Sequence, residues 1–123
     1  APIRVSEIGV PQRALIGTGF PFKDADDIAP YQRQMAAVMA QVSGLRRPGA
    51  ASIDLASVAC GRFDAFWEMQ LAPWDFAAGM LLVREAGGIA TDLEGEHLRA
   101  FGPSSVLVGN PAMHRWLFKT LRS

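Results

Sequence analysis

The sequence predicts a layered α/β domain that spans residues 1–123. Short apolar runs typical of strands alternate with segments of helical spacing along the whole chain. Glycine and proline residues separate these segments, as they do between the elements of a folded domain. Half of the residues are apolar, and a chain of 123 residues is long enough to bury a hydrophobic core.

The first element is a strand. Ala14 to Thr18 is a short apolar run closed by Gly19 and Pro21. A brief apolar run with turn residues directly after it is typical of a buried strand.

An amphipathic helix follows. Asp26 or Asp27 should cap its start, and Gly44 should end it. Pro30 fits because it lies in the first turn. The acidic residues before the helix favour its positive end, so their electrostatic role accounts for them better than metal binding does. Spacings of three and four residues join Ile28, Tyr31, Met35, Val38, Met39 and Val42.

The middle of the chain predicts a buried helix and then a strand. Gly49 to Cys60 is dense in small and apolar residues, as in a helix buried on most sides. Cys60 should be a small buried side chain rather than a reactive thiol. From Phe63 the pattern alternates and predicts a strand that ends at Glu68.

A second apolar helix should begin at Pro73, which suits the first helical position. Gly87-Gly88 should stop this helix. The apolar residues at helical spacing are Ala77, Ala78, Leu81, Leu82 and Ala86.

The last third predicts two strands and a helix. Ile89 to Asp92 should form a strand followed by the turn Glu94 to Glu96, and Ser105 to Val108 should form another. Asn110-Pro111 should open a final helix. That helix carries Trp116, Leu117 and Leu121, with Lys119 and Arg122 near its negative end.

Composition excludes several classes of function. Twelve basic residues balance twelve acidic ones, and Leu45 to Arg47 is too short a basic cluster to form a nucleic-acid arm. No apolar stretch is long enough to cross a membrane, and the start of the chain lacks the pattern of a signal peptide. With a single cysteine, no disulfide within the chain is possible. We therefore expect a cytoplasmic location and neither a membrane nor a nucleic-acid partner.

Two carboxylates are candidates for a binding site. Glu68 is predicted at the end of a strand, and Asp75 lies seven residues later in the first turn of the next helix. Ligands bind at such strand ends in α/β folds, and a carboxylate there suits a hard cation. Asp75 is explained as well by its favourable interaction with the helix dipole, so spacing alone leaves both interpretations open.

The motifs around these carboxylates carry a resemblance to a known family. Trp74 to Gly79, followed by Glu85 to Gly88, resembles the second signature of the inositol monophosphatase family of magnesium-dependent phosphatases. Leu15 to Pro21, Arg46 to Ala51, Gly61 to Glu68 and Val108 to Asn110 resemble bacterial members in the same order. The resemblance covers nearly the whole chain from about Arg4. It implies a mixed sheet and the C-terminal half of that family's α/β fold.

The resemblance implies roles for five residues. Asp75 matches an aspartate that helps to bind a catalytic Mg²⁺ ion, and Glu68 matches a carboxylate that hydrogen-bonds a substrate hydroxyl. Gly49, Ala50 and Ala51 match a small-residue turn beside the substrate. Ala50 departs from the family, which usually carries Ser or Thr there, so a side-chain contact from this position is in doubt.

Other polar and aromatic residues near the motifs are expected to have structural roles. Trp74 should pack under the turn that carries Asp75. Arg84 and Glu85 should be charges on the helix surface, and His97 and His114 should be surface or packing residues.

The family's remaining metal ligands, a glutamate and an Asp-Pro-x-Asp-Gly-Thr motif, do not occur in this sequence. The resemblance therefore implies an N-terminal portion that carries them, and we expect the isolated chain to be inactive as a phosphatase. Inositol phosphate is the expected substrate, but histidinol phosphate, fructose bisphosphate and phosphoadenosine phosphate remain open.

The alternative is a non-catalytic interaction module. An uncovered half-fold exposes apolar surface, so we also expect a homo-oligomer.

Overall fold

The strands form one mixed sheet in the structure, a computed structural model that describes residues 3–19, 26, 28–98 and 102–122. The order across the sheet is β2-β1-β3-β5-β4. The first three of these strands run parallel, and β5 runs antiparallel to both of its neighbours. The predicted α/β fold with a mixed sheet is confirmed. The strands are β1 Leu15–Thr18, β2 Gly44–Arg46, β3 Ala65–Leu71, β4 Ile89–Thr91 and β5 Ser104–Gly109.

Helices cover both faces of this sheet. On one face α2 packs against α3, and on the other α1 packs against α4. Alternation along β3 separates two hydrophobic cores: Phe66 belongs to the core beneath α2 and α3, whereas Ala65 and Trp67 belong to the other. The helices are α1 Ile28–Met39, α2 Ala51–Ala59, α3 Pro73–Glu85 and α4 Pro111–Arg122, and a 3-10 turn lies at Pro11–Arg13.

A buried polar network joins the N-terminal segment to the sheet. The Asp64 carboxylate accepts hydrogen bonds from the Ser6 hydroxyl and, at 2.7 Å, from the Leu15 backbone N–H. Asn110 donates to Ser6 Oγ at 3.0 Å, and its Oδ1 accepts from the backbone N–H of Met113 at 2.8 Å. Asn110 thereby caps α4, as its position before Pro111 predicted.

Two boundaries differ from prediction. The first helix ends at Met39, and Gly44 opens strand β2 instead of closing the helix. Three residues with only one large apolar side chain give too weak an alternation to indicate this strand. Strand β3 continues past Glu68 to Leu71, with an irregular register between those two residues. Asp27 and Pro21 lie outside the described residues, so the cap and the strand stop assigned to them stay predictions.

The buried face of α3 differs from the apolar residues found at helical spacing, of which only Ala86, just beyond the helix, is buried. Its buried residues are Phe76, Gly79, Met80 and Val83. Leu81 and Leu82 are 57% and 42% exposed on the other side of the helix. The helix is apolar almost all round, so its spacing predicts a helix without deciding which stripe meets the core.

Two other burial predictions fail. Ile53 on α2 is 61% exposed, so this helix is buried along one face rather than on most sides. Cys60 is also exposed, because it follows the last turn of α2 at the start of a loop. Its thiol lies 3.6 Å from the carbonyl oxygen of Ser57.

No helix in the described part of the chain combines the length and the apolar character that crossing a bilayer demands.

Candidate functional site

A cleft of about 290 Å³ opens at the carboxyl ends of the parallel strands. Gly19 follows β1, Arg47 follows β2, and Glu68 lies in the middle of β3, where the register of the strand becomes irregular. The first residues of α2 and α3 complete the walls. Parallel strands place their carboxyl ends at one edge, which is where open α/β sheets bind ligands. Both helices direct their positive ends at the same space.

The turn before α2 brings backbone close to the cleft. Gly49 has a φ of +94°, a conformation that L side chains rarely adopt. Ala50 occupies the N-cap position of α2, and its methyl group supplies no cap to the first backbone N–H groups. Gly49, Ala50 and Ala51 all line the cleft. The place beside a substrate that the family resemblance implies for this turn stays a prediction.

Asp75 lies in the first turn of α3 and lines the cleft. Its Oδ2 accepts a hydrogen bond of 3.3 Å from the backbone N–H of Ala72, the N-cap residue. Its own N–H donates to the Ala72 carbonyl oxygen at 2.9 Å. The carboxylate therefore caps its helix and contributes to the cleft wall at once.

Glu68 reaches the cleft from the point where the register of β3 becomes irregular. Its carboxyl group lies against the backbone of Gly19, where a Cβ atom would overlap Oε1. A glycine at position 19 is therefore what leaves room for this side chain. Register irregularities commonly turn side chains toward binding sites in this way.

Asp54 is a third carboxyl group in the cleft, and the sequence analysis did not select it. It lies in the first turn of α2 and is only 1% exposed. Its Oδ1 has no hydrogen-bond partner among the described residues. The sequence carried a signal for this residue. An aspartate in a segment predicted to be a buried helix is unusual, because buried aspartates are rare unless they have a partner or a function.

Burial and mutual repulsion change the acidity of these groups. Burial raises the pKa of Asp54 to about 6. Burial, followed by the charges of Asp54 and Asp75, raises the pKa of Glu68 to about 7, while the Arg47 guanidinium opposes this rise. Three carboxyl groups and one guanidinium thus share a small, partly desolvated space. Perturbed carboxyl groups in a cleft are typical of functional sites.

The cleft supplies only part of a metal site. Carboxylate oxygens suit Mg²⁺, and Asp75 lies where such an ion could meet a ligand. Within residues 3–19, 26, 28–98 and 102–122, however, no three acidic, histidine or cysteine side chains lie close enough together to hold a metal ion. An ion at Asp75 would need further oxygen ligands from outside these residues.

Trp74 and Arg84 differ from prediction. Trp74 is 84% exposed, so it does not brace the turn that carries Asp75. Arg84 is half-buried, and its Nη2 donates to the carbonyl oxygens of Ala90 and Leu98 at 3.0 and 3.1 Å. This arginine therefore ties α3 to the following strand and loop instead of being a free surface charge.

The remaining polar residues behave as expected. Glu85 and His97 are exposed. His114 is half-buried, and its Nε2 lies 2.8 Å from Thr91 Oγ1. Burial lowers the pKa of this histidine, in keeping with a packing role.

Relatives of this chain carry two kinds of name. It is 44% identical over 122 residues to the Nus factor SuhB of Pseudomonas aeruginosa, an alignment that covers 98% of this chain and 45% of that protein. It is 50% identical over 97 residues to the inositol-1-monophosphatase of Rhizobium meliloti, covering 79% of this chain and 36% of that protein.

Solved structures are also similar to this chain over nearly all of its length. The extragenic suppressor protein suhB from Bartonella henselae superposes with a TM-score of 0.90 at 41% identity, covering 98% of this chain and 46% of that one. An IMPase from Thermotoga maritima superposes with a TM-score of 0.84 at 30% identity, covering 98% and 44%. The chain thus spans less than half the length of these relatives.

A family model described as the inositol monophosphatase family matches residues 1–123. The match agrees with the ordered motifs, the mixed sheet and the cleft at its carboxyl edge. The chain belongs to the inositol monophosphatase family.

Proposed function

We propose that this chain is the C-terminal part of a Mg²⁺-dependent phosphomonoesterase that hydrolyses inositol monophosphate or a similar small phosphorylated metabolite. The observation that carries the proposal is the cleft, where Asp75, Glu68 and the turn at Gly49 meet at the carboxyl edge of the parallel strands. Relatives named inositol-1-monophosphatase support the same activity. Cytoplasmic location is part of the proposal and rests on the sequence.

Each cleft residue has a part in this reaction. Asp75 would provide one carboxylate ligand to the metal, and an N-terminal portion of the protein would provide the others. When bound, divalent ions polarise a phosphate ester and make a water molecule more nucleophilic. Glu68 would accept a hydrogen bond from the alcohol portion of the ester. The backbone of Gly49 to Ala51 would pass beside that portion, with no side-chain hydroxyl from Ala50.

The test is phosphate release by the gene product at its natural length, with and without Mg²⁺. The panel contains the phosphate esters of inositol, histidinol, fructose and adenosine that the sequence leaves open. We expect Mg²⁺-dependent hydrolysis of the inositol ester and a loss of kcat/KM on the order of 100-fold or more in Asp75→Asn, because a metal ligand is removed.

Glu85→Gln is the matched control, since it removes an exposed carboxylate from the same helix. It should retain the activity of the unaltered enzyme. Full activity in Asp75→Asn would contradict the proposal. The isolated 123-residue chain should release no phosphate, because one aspartate cannot hold the metal ions that the reaction needs.

A second candidate is a non-catalytic interaction module. Two observations favour it: several relatives are named Nus factor SuhB, and four large apolar side chains on α2 and α3 are exposed. Exposed apolar surface also supports self-association. Light scattering of the purified chain tests this, and a monomer at all concentrations would argue against it. The exposed residues are Ile53, Trp74, Leu81 and Leu82.

A further inference from the structure

Asp54 combines deep burial with an unused hydrogen-bonding group. Its side chain lies in the wall of the cleft, is 1% exposed, and has an Oδ1 atom without a partner among the described residues. Asp64 is a useful comparison. It is similarly buried, but the Ser6 hydroxyl and the Leu15 N–H hydrogen-bond its two oxygens.

Asp64 therefore has a structural role, whereas the hydrogen-bonding capacity of Asp54 is not used within the described part of the fold. Buried polar groups in folded proteins nearly always have partners, because leaving one unpaired costs free energy. Asp64 meets this condition within the fold, and Asp54 does not. An uncompensated carboxyl group in a cleft wall is expected where stability is sacrificed for binding.

We infer that Asp54 is a further substrate-binding residue, whose carboxyl group accepts a hydrogen bond from a hydroxyl group of a polyol phosphate. This inference rests on the proposed function and extends it. Asp54 projects from α2 and Glu68 from β3, so the two carboxyl groups approach the cleft from different walls.

The carboxyl groups of Asp54 and Glu68, on separate walls of the cleft, favour a ligand with several hydroxyl groups. Each carboxylate accepts hydrogen bonds, so the pair favours an alcohol portion that carries several hydroxyl donors. Both carboxyl groups line the same cleft of about 290 Å³, so one ring bound there can meet both. Among the open substrates, a polyhydroxylated ring satisfies both carboxyl groups, whereas an ester with a single hydroxyl leaves one unsatisfied and buried.

The test uses the gene product at its natural length and non-hydrolysable ligands, so that binding is measured without turnover. The ligands are the phosphonate analogue of inositol 1-phosphate, its monodeoxy analogues and methylphosphonate, each titrated by calorimetry in the presence of Mg²⁺. The variants are Asp54→Leu, which removes both oxygens at similar size, and Asp54→Asn, which retains an acceptor oxygen. Both should fold, because each removes an unpaired buried carboxylate.

We expect Asp54→Leu to bind the inositol phosphonate about 10- to 100-fold more weakly, the range that a hydrogen bond to a charged group supports. Asp54→Asn should recover part of this loss. The monodeoxy analogue that lacks the hydroxyl bound by Asp54 should bind the unaltered protein and Asp54→Leu equally, because neither complex can form this hydrogen bond. Methylphosphonate, which lacks the ring, should bind all variants alike.

Two results would overturn the inference while leaving the proposed function intact. One is unchanged binding of the inositol phosphonate by Asp54→Leu. The other is an equal loss for the inositol phosphonate and methylphosphonate, which would mean that the cleft was rearranged. If the unaltered protein bound neither phosphonate, the proposed function itself would fail, and the inference with it.

Discussion

The three carboxyl groups of the cleft differ in what the fold provides for them. Asp75 hydrogen-bonds the N-cap backbone of its own helix, and Glu68 occupies the space left by Gly19. Asp54 has an oxygen with no partner among the described residues. Removing the charge of Asp54 should therefore stabilise the fold, which sets it apart from a structural carboxylate such as Asp64.

This difference predicts a pH-dependent stability. Burial raises the pKa of Asp54 to about 6. Between the pKa of the unfolded chain and this value, Asp54 is protonated in the folded chain and ionised in the unfolded chain. The stability that this proton confers is present below pH 4 and is lost as the pH rises through 6. Glu68, with a pKa of about 7, acts in the same direction. His114, whose pKa burial lowers, acts in the opposite direction.

The variant Asp54→Asn isolates the contribution of one group. At pH 8 it should increase the free energy of unfolding of the 123-residue chain by about 1–3 kcal/mol, whereas at pH 3.5 the change should be close to zero. Urea denaturation at the two pH values measures both changes. A variant that is less stable than the unaltered chain at pH 8 would show that Asp54 has a stabilising partner.

At the residue scale, the family motifs pointed to residues that lie together in the structure, while the roles of these residues stay predictions. The motifs drew attention to Asp75, Glu68 and the turn from Gly49, and the structure brings all of them to one cleft. Asp54 was missed because a helical segment rich in small apolar residues was interpreted only as packing. Trp74 was placed wrongly because a large aromatic residue beside a site is usually buried, and here it is 84% exposed.

At the scale of elements, α2 and α3, whose first residues line the cleft, pack closely against each other. Gly79 on α3 lies directly against Leu55 on α2, where an added Cβ would come within 2.5 Å of the Leu55 Cβ and 2.6 Å of its Cδ1. Leu55 is fully buried, so it has little room to move. The glycine therefore lets the two helices pack side by side with their N-termini at the same cleft.

Gly79→Ala tests this packing, because two effects have opposite signs. Helix propensity favours alanine by about 1 kcal/mol, whereas overpacking costs about 1–3 kcal/mol. We expect the steric effect to prevail and the chain to be destabilised in urea denaturation. Ala78→Gly is the matched control, since Ala78 is the exposed neighbour and reports propensity alone. A stabilised Gly79→Ala variant would mean that the helices are free to separate.

The elements also show what periodicity can and cannot predict. Helices α3 and α4 begin at Pro73 and Pro111 as expected, because a proline and a spacing of three and four residues are local signals. Strand β2 was missed, since its three residues pair with β1 at the sheet edge and carry no pattern of their own. The buried stripe of α3 depends on neighbours far away in the chain, and no local signal reports them.

At the scale of the whole molecule, the layer of α2 and α3 exposes apolar side chains on its outer side. Leu81 and Leu82 lie on the side of α3 that faces away from Phe76 and Val83. The chain also spans less than half the length of its relatives. The proposed enzyme therefore needs a further portion of protein to complete its metal site, and the account depends on where that site forms.

The location of a bound metal ion tests this claim most directly. Crystals of the gene product at its natural length, soaked with Mn²⁺ and the inositol phosphonate, would reveal the ion by anomalous scattering. The account predicts a peak about 2.1 Å from a carboxylate oxygen of Asp75, with the ring of the ligand between Asp54 and Glu68. An ion and ligand bound elsewhere, with Asp75 contacting only the Ala72 N–H, would contradict it.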